Sequence, residues 1–218
     1  MKIFGLIFTV FFALNGAAYV VPTYRDIKPA TQQMIEKQKI TAPIALSTTH
    51  LKTAQATSAS VTTTITTFSA QPDVARNITI TTGGVAADCN AGTPLVTGTN
   101  IKGAVITEGI PTFENLATTS TGLKAFRTIS SVVIPIQDGA GCTFSVGIEN
   151  AFGLKNCLAS APHFIHAGVG GVSEATRNDY VVLTDDNEVE KNTFLSNDMP
   201  ADGVKDIELF FMQNFVCR

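Results

Sequence analysis

Tryptophan is absent from this chain of 218 residues, histidine occurs three times, and charged side chains make up only 15% of it. Each scarcity removes a class of function. With a formal net charge of −3, the chain has no basic field with which to hold phosphates, so the sequence predicts no nucleic-acid partner. The four cysteines, Cys89, Cys142, Cys157 and Cys217, are scattered with no CxxC spacing, which removes the common zinc-site patterns. Two readings of them stay open: up to two disulfides in an oxidising compartment, or buried thiols acting as small apolar residues. No Gly-x-Ser-x-Gly elbow occurs, and no glycine-rich loop is followed by Lys-Ser or Lys-Thr.

What the chain does have is period-two alternation. Asn77–Thr82, Ile101–Glu108, Lys124–Ile136 and Cys142–Ile148 alternate apolar and polar residues, each run closed by Gly, Asp, Asn or Pro. In the last run Cys142, Phe144, Val146 and Ile148 share one face and Thr143, Ser145 and Gly147 the other, the pattern of a half-buried antiparallel strand. Val61–Phe68 reads as the first strand, and Tyr180–Leu183, Val189–Leu195 and Lys205–Phe215 as later ones. Gly139-Ala-Gly141 predicts a hairpin joining Lys124–Ile136 to Cys142–Ile148. Some eight strands with closely spaced turns define an all-β fold, an antiparallel β-sandwich or partly open barrel. Fourteen phenylalanines and abundant threonine suit such pleated surfaces.

Upstream of the strands, Met1–Leu14 is apolar, carries one early positive charge and is too short to span a bilayer comfortably; small residues follow to Ala18. Residues 1–18 therefore read as a secretory signal peptide or as a retained apolar arm. Residues 19–57 read as an extended N-terminal arm or linker, with a short helix over Ala30–Lys39 starting near Pro29. Residues 58–218 are the expected β domain.

Candidate chemistry is sparse. His163 and His166 would share one side of a helix and bridge a metal, but Pro162 and the nearby glycines point to a loop. Asp185, Asp186, Glu188 and Glu190 offer turn oxygens for calcium without EF-hand spacing and read as a solvated turn. Gly168–Gly171 reads as a surface loop. Asn77-Ile-Thr79 is a formal glycosylation sequon inside a strand pattern and reads as structural. The sequence thus predicts no catalytic residue, no cofactor, no metal ligand and no small-molecule substrate; the protein is expected not to be an enzyme.

Several phrases occur in an order that resembles a recurrent β domain of tailed-bacteriophage virion proteins. They are Gln71-Pro-Asp-Val-Ala-Arg-Asn-Ile-Thr-Ile80, Val96-Thr-Gly-Thr-Asn-Ile-Lys-Gly-Ala-Val-Ile-Thr-Glu108 and Lys124-Ala-Phe-Arg-Thr-Ile-Ser-Ser-Val-Val-Ile-Pro135. Phe144–Gly147 with Phe152–Leu154, and Val189–Thr193 with Asp202–Asp206, complete the series, which covers about residues 70–213. The resemblance implies a virion structural protein, most simply a capsid decoration or auxiliary head protein. Its partners would be other virion proteins and further copies of itself as a homo-oligomer, met through the 19–57 arm and the loops at 83–99 and 157–178. The signal-like start departs from that pattern, and the alternative is a secreted or cell-surface β-sandwich binding module of adhesin type.

Overall fold

The computed structural model describes residues 35–112, 118–158, 162, 164–173, 180–185, 187–196 and 200–212. The leader at 1–18 and the rest of the chain before residue 35 lie outside the described residues. Among the described residues every strand pair is antiparallel, and the regular elements are strands and short 3₁₀ turns. The fold is all-β, as the alternation predicted.

Three sheets share the work. The largest runs β12 (Tyr180–Leu183), β13 (Thr193–Ser196), β9 (Cys142–Gly153), β4 (Arg76–Gly84) and β7 (Thr119–Phe126), with β2 (Ser47–Ala56) also paired to β9. A second sheet runs β3 (Thr63–Ile65), β8 (Thr128–Ile134), β5 (Leu95–Thr99) and β6 (Val105–Gly109). A third runs β1 (Ile35–Ile40), β14 (Ile207–Met212), β10 (Phe164–Val169) and β11 (Val172–Ser173).

Alternation decides what each sheet buries. Ile78 and Ile80 of β4 with Phe144, Val146 and Ile148 of β9 pack against Val96, Ile129, Val132 and Ile134 of the second sheet, one cluster of a sandwich core. The face predicted for β9 is the buried one. The same strand continues to Phe152, which joins a second cluster with Phe164, Leu209, Phe211 and Phe194 against the third sheet. One strand of 12 residues therefore serves two cores.

Five expectations are corrected. Within residues 35–56, read as part of an arm, Ile35–Ile40 and Ser47–Ala56 are strands of the sheets, and the first of them stands where a helix over Ala30–Lys39 was expected. The reason is tertiary: β1 pairs residue for residue with β14, buries Gln38 and Ile40, and sets Lys37 against Glu208 and Lys39 against Asp206 across the ladder. A weak local preference gave way to a partner some 170 residues downstream. Lys124–Ile136 is two strands, because the chain turns a corner at Arg127 from the large sheet into the second one. Gly139–Gly141 accordingly joins two different sheets and forms no hairpin; there the Asp88 carboxylate accepts the Gly141 N–H at 2.8 Å, and a Cβ at Gly141 would collide with it. Finally, part of the expected loop at 157–178 is the β10–β11 hairpin, turned by Gly170 and Gly171 at φ of 59° and 82°.

Candidate functional site

Arg76 is the most deeply placed charge in the described residues, with no solvent exposure at the start of β4. Its Nη1 donates to Asp73 Oδ1 at 2.9 Å and to the Ile44 carbonyl at 3.0 Å, its Nε to the Glu149 carbonyl at 2.7 Å, and its Nη2 to Asn150 Oδ1 at 3.2 Å. The guanidinium lies 4.8 Å from the centre of the Phe152 ring. Burial pulls its pKa down and Asp73 opposes that pull. Asp73 in turn accepts the Ile44 N–H at 2.8 Å. The Gln71-Pro-Asp73 turn, β4 and the middle of β9 are thereby held together where the two cores meet. The guanidinium is wholly buried, so its donors serve to hold these segments together.

A second charged group closes the seam between sheets. Glu108, on edge strand β6, accepts the backbone N–H groups of Leu123 at 2.6 Å and Lys124 at 3.1 Å from edge strand β7. Its carboxylate thus stands where a neighbouring strand's carbonyls would meet the free edge of β7, linking the two sheets. Burial raises its pKa, with those N–H groups drawing it back. Lys124 Nζ then reaches Glu188 at 3.5 Å and Glu190 at 3.4 Å, and buried Glu190 accepts from Asn100 Nδ2 at 3.2 Å.

The acidic turn is answered group by group. Asp185 is held below the usual carboxylate range by the N–H groups of Asn187 and Glu188, and Lys191 pairs with Glu188, whose pKa falls while that of Lys191 rises. Asp186 lies outside the described residues. Among the described residues no cluster of three or more His, Cys, Asp or Glu side chains can hold a metal. His163 also lies outside them; His166 sits half-buried on β10 with its ring 5.9 Å from that of Phe210. Asn77 of the sequon is buried and donates to the Gly122 carbonyl at 2.6 Å.

The cysteine question resolves to disulfides. Cys89 is bonded to Cys142, tying the loop after the 3₁₀ turn Ala86–Asp88 to the start of β9, and Cys157 is also disulfide-bonded. No helix among the described residues is long and apolar enough to cross a membrane.

The described residues also form a concave site. A cleft of about 180 Å³ opens where the end of β1, the turn before β4, the β5–β6 turn, the β7–β8 corner and the end of β9 converge. Lys39, Arg127 and Lys155 line it together with Ile40, Val74 and Ile101. Sequence reading missed this site and the Arg76 group alike, since their members come from segments far apart in the chain. The only local signal was Asp73 three residues before Arg76 at the entry to an alternating strand. No protein-family model, no curated protein and no solved structure matches the chain.

Proposed function

We propose that the chain is a virion structural protein, a capsid decoration or auxiliary head component that acts by docking on other virion proteins and on copies of itself. The observation that carries this reading is where the ordered phrases fall. Gln71–Ile80 supplies the Asp73–Arg76 pair and β4; Val96–Glu108 is the β5–β6 hairpin ending on Glu108; Lys124–Pro135 is the corner between sheets. Phe152 lies under Arg76, and Glu190 meets Lys124 and Asn100. The phrases thus coincide with the contacts that make one architecture. Scarce charge and exposed apolar side chains such as Val61, Val85, Val105, Leu123 and Val204 are in keeping with a surface that meets protein. The test is co-sedimentation of the natively produced protein with virus particles; a strictly monomeric protein never found in particles overturns the reading.

A second reading, an exported β-sandwich binding module, is favoured by one specific observation, the disulfide bonding of Cys89, Cys142 and Cys157. Intact mass with and without reductant separates the two. A mature chain beginning near Tyr19 with no particle association supports export; a full-length chain found in particles supports the virion component.

A further inference from the structure

The cleft at the junction of the sheets carries an inference that holds under either reading. Two cations that form no ion pair among the described residues line it, Arg127 from the corner between β7 and β8 and Lys155 just after β9, beside Lys39 of β1, which is paired with Asp206, in a chain whose net charge is −3. The carboxylates nearby are already committed. Asp73 binds Arg76 and the Ile44 N–H, and Asp206 binds Lys39 and the Ala42 N–H at 3.0 Å. Arg127 uses Nη1 on the carbonyls of Pro72 and Asp73, at 3.3 and 3.0 Å, which anchors the guanidinium at the rim. Lys155 is exposed and forms no ion pair among the described residues, while its backbone N–H is fixed by Gln38 Oε1 at 2.9 Å. Gln38 itself is buried and donates to the Gly153 carbonyl at 2.9 Å, so this wall of the cleft is rigidly built.

Beside the cations stand half-buried Val74 and Ile101, with buried Ile40 beneath them. A bare inorganic anion has no use for those apolar walls, whereas a carboxylate flanked by aliphatic side chains satisfies both. We propose that the cleft is a docking site for an acidic segment of a partner protein, receiving an Asp or Glu side chain beside Arg127 and Lys155 with apolar neighbours against half-buried Val74 and Ile101.

The experiment uses the full chain and a fluorescein-labelled peptide of alternating Glu and Leu, with the Gln-Leu peptide as the neutral control and inorganic phosphate as competitor. The acidic peptide is expected to bind and the neutral one not, with affinity falling as salt rises. Lys155→Ala is expected to weaken binding about fivefold, the scale of one partly exposed ion pair. Lys52→Ala, on the distant strand β2, leaves it unchanged, and both variants keep the wild-type melting temperature. Equal binding of the two peptides, equal loss in Lys52→Ala, or phosphate binding without peptide binding overturns the proposal. None of these outcomes bears on particle association, so the two readings of function stand or fall separately.

Discussion

Asp73 and Arg76 meet at 2.9 Å three residues apart, the guanidinium wholly buried and the carboxylate 23% exposed. Removing one partner strands a charge in the interior, which costs about 3–5 kcal/mol. Asp73→Ala is expected to fall at the lower end, because Ile44, Glu149 and Asn150 still accept from Arg76. Arg76→Ala is expected at the upper end, and Arg76→Lys does not rescue it, since one ammonium cannot reach acceptors arranged for a fork. Urea denaturation of the three variants checks this ordering.

The Cys89–Cys142 bond closes a loop with a sequence separation of 53. Chain entropy alone makes its loss worth about 4 kcal/mol. The double variant Cys89→Ala/Cys142→Ala isolates this bond from the one at Cys157, and its urea midpoint is expected to drop without a change in fold by circular dichroism.

The strand pattern was legible because it depends on local alternation and a buried face: Cys142–Ile148 and Ile78 with Ile80 were read correctly from that alone. What was not legible depends on partners remote in the chain. Gln38 looks like a helix-surface residue until Gly153 and Lys155 stand beside it, and Lys124–Ile136 looks continuous because nothing in its own sequence reveals that Thr99 accepts the Arg127 N–H at 2.7 Å and turns the corner. The candidate cleft was invisible for the same reason: Lys39, Arg127 and Lys155 are unremarkable lysines and arginines until the sheets assemble.

Glu108 makes stability depend on pH in a defined direction. Its folded pKa lies above the ordinary value, so the folded state holds the proton more tightly than the unfolded chain. This contribution is therefore present below the ordinary glutamate range and is lost as pH rises through the raised folded value. Glu108→Gln is expected to flatten that part of the profile of urea midpoint against pH; an unchanged slope overturns the assignment.

Gly147 lies on β9 where β2 crosses it, and a Cβ there would overlap the Ser47 carbonyl and the Thr48 backbone. Gly147→Ala is expected to destabilise the protein by about 1–3 kcal/mol through displacement of β2. Thermal melting measures the loss, and hydrogen exchange is expected to localise it to residues 47–56.

β14 holds both β1 and β10, and this has a consequence for the order in which the protein takes shape during synthesis. All members of the sandwich core lie between Leu51 and Ile148, so that half can close while the ribosome is still working. The second cluster waits for Leu209 and Phe211, which leaves Ile40 and Phe164 uncovered for on the order of several seconds of translation. A nascent chain stalled before residue 207 would carry a finished sandwich beside an open apolar face, the form in which chaperones and misassembly would compete for it.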